Sequence, residues 1–231
     1  QVLIGSSLCT RTAARLVVSS PLPTQLAEMR FRERPKGELD IVKKGMQVLR
    51  RKPTLGVMAN TICKTVFSED AVRKHPGRGQ WFEVRVDDWM GGNMSILGIG
   101  FTATDPESLV VGEDEAELPA RAYNIPQTYV GGYLRSVFWD GESFEAEIFK
   151  NILPLKGFTV GVLATPQGSL EFYVNRRLEY TFDPEANELP PINVDDPLWA
   201  VLDCTSGVKK ATLLPQSTPP TEDEQRETTE G

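Results

Sequence analysis

What most limits the fold of this chain is its periodicity, which is that of strands almost throughout. In "GQWFEVRVDD" (79–88), Phe82, Val84 and Val86 alternate with Glu83, Arg85 and Asp87. That two-residue repeat puts apolar side chains on one face of an extended strand and charged ones on the other. "MSILGIGFTA" is a nearly continuous apolar run with glycines, the pattern of a central strand. "SFEAEIFK", "FTVGVLATP", "SLEFYVNRRLEYTF" and "LWAVLDCT" follow, each bounded by Gly, Pro, Asn or Asp. Asn175, Arg176 and Arg177 split the third of these into two strand-like halves and read as a hairpin turn. Upstream, "GMQVLRRKP" and "TICKTVFSE" read as a first hairpin. Short strands with regular turn punctuation, and little helical period, predict an all-β fold, an antiparallel β-sandwich.

The flanks differ in composition. Residues 1–40 have no sustained period and read as a linker or a poorly ordered arm. Residues 217–231 hold no large apolar side chain and five acids against Arg226, a net charge of -4, and read as a disordered acidic tail. The sandwich is therefore assigned to residues 41–216. Within it, the long stretch 105–126, with the acidic "GEDEAE", reads as a loop over one end.

Charge and cysteine usage then narrow the function classes. The 231 residues carry a formal charge of -7, so no overall basic field draws nucleic acid or anionic lipid. The one basic cluster, "RFRERP" at residues 30–35, is short, is broken by Glu33, and reads as a solvated segment. Cys9, Cys63 and Cys204 are odd in number and far apart, which points to a reducing, intracellular setting, the cytoplasm by preference. No apolar run nears the ~20 residues that span a bilayer. The chain opens on Gln1 rather than Met and is expected to be a piece of a longer protein.

Catalytic constellations are sparse. A thiolate nucleophile at Cys204 would need a base, and the chain owns one histidine, His75. Cys204 closes an apolar strand, where a free cysteine behaves as a small hydrophobe. Zinc ligation needs paired Cys and His at short spacing, and none are paired. Glu145 and Glu147 lie two apart on one strand face, as a retaining glycosidase would place them. Phe144, Ala146 and Ile148 alternate with them as any outer strand would show, so a solvated face explains the pattern. No catalytic residue, metal or cofactor is assigned. What remains is a set of aromatic and arginine residues near predicted turns: Tyr129, Tyr133, Arg135, Trp139, Arg176 and Arg177. These residue types are enriched in protein-binding hot spots, and equally fill sandwich cores.

"WFEVRVDDW", "LGIGFTATDPESL", "ELPARA", "TYVGGY", "VGVLATPQGSLEFYVNRR" and "INVDDPLWAVLDCTSG...ATLLP" succeed one another in an order that resembles the Neuralized homology repeat (NHR). That domain is related to SPRY and concanavalin-like β-sandwiches, and the resemblance runs from Ile41 to Pro215. It implies a non-catalytic module that binds protein or peptide ligands, often within ubiquitin-ligase systems. Membrane-lipid contact occurs in some members but is not indicated by the charge here. The sequence departs from the family in two places. Asp203 is followed by "CTSG" where an aromatic-Gly pair is usual, and "VVGEDEAE" lengthens a loop that would border the binding face. The candidate partner-binding residues are Asp105 from "TATDP", Tyr129, Tyr133 and Arg135 from the "TYVGGYLR" loop, and Asn175, Arg176 and Arg177 from the hairpin. Two rivals stay open: a scaffold component of a cytoskeletal or membrane-associated assembly, and a carbohydrate-binding sandwich. Other domains of the full-length chain are expected partners in either case.

Overall fold

The computed structural model describes residues 28–32, 39–50, 64–89, 97–109, 119, 121–133, 135–149, 157–204, 208–221 and 224. In chain order the strands are β1 (Leu39–Val42), β2 (Gln47–Arg50), β3 (Thr65–Phe67), β4 (Lys74–His75), β5 (Gly79–Trp89), β6 (Gly98–Thr102) and β7 (Thr128–Tyr133). They continue with β8 (Ser136–Trp139), β9 (Glu142–Glu145), β10 (Thr159–Ala164), β11 (Leu170–Val174), β12 (Arg177–Phe182), β13 (Trp199–Asp203) and β14 (Val208–Leu213). One sheet has the order β1-β2-β14-β5-β10-β11-β12, with β4 on the end of β5. The other has the order β3-β13-β6-β7-β8-β9, and every pairing in both is antiparallel. The sandwich expected from the alternating pattern is the fold found.

Between the sheets, Phe82, Val84, Val86, Val160, Val162 and Phe172 face Ile99, Phe101, Val137, Trp139, Ala200 and Leu202. Phe82 meets Phe101 edge-to-face across the gap, ring centroids 5.3 Å apart. Each such large side chain contributes about 1.5–3 kcal/mol on burial. The same strands carry polar or small residues outward, but outward does not mean exposed here. Glu83 is only 2% exposed and Trp81 1%, because residues 214–221 cross the outside of the eight-stranded sheet. Arg85 and Asp87, farther along β5, are half-buried as the alternation predicts.

Several local expectations need correction. β2 and β3 are not a hairpin: β2 pairs with β1 and β14, whereas β3 pairs with β13 in the other sheet. The true first hairpin is β1–β2, closed by Lys43, Lys44 and Gly45, all at positive φ. "TYVGGY" is strand β7 and not a loop. Of "SFEAEIFK", only the start is strand, as the edge strand β9 ends at Glu145. The 105–126 excursion does not simply cap an end. Its 3-10 turn, Ala122–Asn124, packs with Ile125 on the outward side of the six-stranded sheet against Phe67, Val130, Tyr133 and Val201. "GEDEAE" and the insertion "VVGEDEAE" lie outside the described residues, as do residues 1–27. At the chain's ends, two segments assigned to flanks are placed on the sandwich. Phe31 is buried in the main core, its N–H donating to Gly45 O, and Ser217, Pro219 and Pro220 lie against β5 and its neighbours.

The hairpin read at Asn175 stands. Asn175 and Arg176 both take positive φ, 48° and 68°, as a two-residue turn between twisted strands requires. Gly161 on β10 serves a different need, close approach: a Cβ there would lie 2.1 Å from the Trp81 ring. Gly161→Ala should therefore displace the indole and lower stability by about 1–3 kcal/mol, read by thermal unfolding together with a change in tryptophan emission.

Candidate functional site

Strand register sorts the seven candidate residues to opposite ends of the sandwich. Thr102 pairs with Thr128, so Asp105 and Tyr129 share the end that also carries the 140–141 turn, the 165–169 turn and the 183–198 segment. Ser136 pairs with Tyr133 and Val160 with Val174, so Arg135 and the Asn175–Arg176 turn stand at the other end. The seven do not converge on one site.

At the first end, Asp105 is exposed and builds its own turn: its carboxylate accepts the Glu107 N–H at 2.8 Å and its carbonyl the Ser108 N–H at 2.9 Å. Glu107 in turn pairs with Arg32 at 2.8 Å, tying the N-terminal segment to this loop. Tyr129 is half-buried, its ring 4.7 Å from that of Trp139. Burial, and then the Asp140 carboxylate, push its hydroxyl above the ordinary tyrosine range. Trp139 packs on Phe182 across the sheet gap and donates its indole N–H to Pro190 O at 3.1 Å. That contact joins Tyr129 to the 183–198 segment, beside which lies a groove of about 400 Å³. Thr165, Gln167 and Ser169 form one wall and Asp183, Leu189 and Pro191 the other. Glu171 and Glu185 also line it, so the groove is rich in acceptors and negative charge.

The groove escapes the sequence reading because its walls lie in separate loops. "TPQGS" and "DPEANELPP" are recognisable as turns, but only the β11–β12 pairing brings Glu171 opposite Thr181 and the two loops together.

At the opposite end, Arg135 is exposed at φ 66° in the β7–β8 turn, and its carbonyl accepts the Ala146 N–H. Asn175 exchanges bonds with Thr159, its Oδ1 taking the Thr159 N–H at 2.9 Å. Arg177 is exposed at the start of β12, the edge strand, whereas Arg176 folds back toward Glu83, Thr218 and Glu224. Tyr133, expected on a loop, is instead 7% exposed on the outward side of β7. Its hydroxyl donates to Asp203 Oδ2 at 2.7 Å, and the Ala122 N–H reaches the same oxygen at 3.1 Å. Asp203 thus serves a buried backbone donor, as expected of an acid at the end of an apolar strand.

The geometry gives the cysteine no base. Cys204 is 1% exposed beside Lys64, at the end away from His75 in the β4–β5 turn. Burial, and next the Asp203 charge, push its thiol well above the ordinary range, the reverse of a reactive cysteine. His75 is held below its ordinary value by burial and by Arg73 and Arg78. Glu145 and Glu147 are exposed while Ala146 and Ile148 between and beyond them are buried. Among the described residues, no group of three or more His, Cys, Asp or Glu could hold a metal, and no helix is long and apolar enough to cross a membrane.

Comparison with known proteins bears on the fold as a whole. Compared by sequence with curated proteins, the chain matches none. Among solved structures, it is similar to the NHR domain of Neuralized from Drosophila melanogaster in solution, with TM-score 0.55 and 16% identity over 83% of this chain and 94% of that one. The crystal structure of the Neuralized-NHR1 domain of the same organism gives TM-score 0.53 and 18% identity over 81% and 98%. The TRIM65 PSpry domain gives TM-score 0.50 and 15% identity over 82% and 93%. These likenesses show a shared NHR and SPRY type of sandwich. The Neuralized family model matches residues 50–215, which takes in every strand from β3 to β14. By that match, the chain belongs to the Neuralized family.

Proposed function

We propose that this domain is a non-catalytic recognition module that binds a peptide segment of a partner protein at the end carrying Tyr129. The observation that supports this most is the continuity of that surface. A half-exposed tyrosine rests on a buried tryptophan, which is bonded to the loop that walls a 400 Å³ groove. Aromatic anchors set beside a preformed polar cleft on a rigid sheet are the usual ingredients of peptide recognition. Glu171, Asp183 and Glu185 favour a segment with lysine, arginine or other donors. Through its family, the module reads as the partner-recognition part of a larger intracellular protein associated with ubiquitin ligation. Cys204, buried and remote from His75, supports the non-catalytic part of this reading.

Peptides selected against the immobilised domain provide the test. Tyr129→Ala and Gln167→Ala should each weaken the selected peptide about tenfold or more, as loss of a hot-spot contact of roughly 1.4 kcal/mol would. Arg135→Ala and Arg177→Ala should leave it unchanged. The reverse pattern would place recognition at the other end of the sandwich.

A further inference from the structure

We propose that the outer face of the eight-stranded sheet is a second peptide site, specific for a Ser-Thr-Pro-Pro segment followed by an acidic residue, and that the chain's own residues 217–221 fill it. The site adjoins the groove described above, since Tyr173 donates to Glu171 of its lining, but it does not depend on that reading.

Trp81, Leu163 and Tyr173 form a small apolar cluster on this face, separate from the core, with the indole and phenol rings edge-to-face at 5.3 Å. Next to them, the Glu83 side chain is 3% exposed. Ser217 Oγ lies between the two groups: it accepts the Trp81 indole N–H at 2.7 Å and donates to Glu83 Oε2 at 2.5 Å. A donor and an acceptor buried side by side and aimed at one point call for a group that is both, and a hydroxyl is that group. The Ser217 hydroxyl meets both needs, pairing the indole N–H and giving Glu83 a donor beside Arg176.

The other polar contacts grip the backbone of the segment, as a peptide site does. Arg176 donates to Thr218 O at 3.2 Å while pairing with Glu83 at 3.4 Å, and Arg78 donates to Pro220 O. Pro219 and Pro220 are buried, and their fixed φ lowers the entropy lost on docking. Beyond them, the Thr221 N–H reaches Glu224 Oε2 at 2.6 Å and the Glu224 N–H returns to Thr221 Oγ1 at 3.3 Å, a reciprocal capping box. Glu224 also meets Arg176 at 3.1 Å, so the acid after the prolines completes the clamp. Only three residues, 214–216, separate the segment from the end of β14. Such a short tether sets an effective concentration of the order of mM, which a partner's segment must overcome.

The test uses the whole chain and a fluorescent peptide of residues 216–224, "QSTPPTEDE". Ser217→Glu sets a second carboxylate against Glu83 and should release the segment, seen as a shift of the Trp81 indole N–H resonance. The released chain should then bind the peptide at least about tenfold tighter than the unaltered chain does. A peptide with glutamate in place of the serine should not bind. Pro219→Gly/Pro220→Gly, which adds no charge, should give the same two results and guards against misfolding of the first variant. Release without a gain in peptide affinity would overturn the site. An indole resonance unmoved in both variants would overturn the occupancy in cis.

Discussion

Asp203→Ala should lower the unfolding free energy by about 3 kcal/mol, since it strands two buried donors, the Tyr133 hydroxyl and the Ala122 N–H. Each such group left unpaired costs about 1–3 kcal/mol. For a chain of this size that is a fall in Tm of roughly 10 °C, measured by calorimetry or by urea unfolding. Asp203→Asn keeps an oxygen at the site and should cost much less. The same contact has a pH signature. Burial first, then the Asp203 charge and hydrogen bond, raise the Tyr133 hydroxyl well above its ordinary 10.0. A group whose folded value is raised stabilises the fold fully below its unfolded value and loses that contribution as pH climbs through the folded one. Tyr173 and Cys204 shift in the same direction, Cys204 from 9.0. Stability should therefore hold at neutral pH and fall from about pH 9 upward. Tyr133→Phe should flatten the part of that decline above pH 10, and an unchanged alkaline limb would count against the contact.

Trp139→Ala should cost about 4 kcal/mol, within the range for removing a large buried aromatic. Trp139 lies on β8 in the six-stranded sheet, yet it packs on Phe182 at the end of β12 in the other and is bonded to Pro190 O. Its loss would open a void between the sheets beside Phe182 and Tyr129. It would also free the 183–198 segment and the Tyr129 ring, so peptide affinity at that end should fall together with stability. Trp139→Phe keeps most of the packing but not the N–H, and should lose about 1–2 kcal/mol. If stability fell while selected peptides still bound to the folded fraction with unchanged affinity, the groove would not be part of the recognition surface.

The strand content was legible from residues 79–88 alone, and from the Gly, Pro and Asn that punctuate the later runs. These signals are local: side-chain alternation follows from backbone geometry, and turns follow from residues that tolerate positive φ, as at Asn175. The order of motifs from "WFEVRVDDW" to "ATLLP" was enough to point to the Neuralized family. Pairing was less legible. "GMQVLRRKP" and "TICKTVFSE" are neighbours in the chain but enter different sheets, because β14, 158 residues after Arg50, takes the place beside β2. The candidate site fared in the same way. Tyr129 and Asp105 reach one end while Arg135 and Arg177 stand at the other, a separation set by antiparallel register and not by composition.

Alternation decides which residues share a face, but it carries no information about what will lie on that face. Glu83 reads as solvated and Tyr133 as a loop anchor, and each is buried, Glu83 under residues 217–220 and Tyr133 under the turn at Ala122. Both coverings come from segments far away in sequence that no local period marks. Burial, and with it the shifted tyrosines, the paired carboxylates and the second candidate site, therefore depends on long-range packing, whereas strand identity depends on the residues of the strand itself.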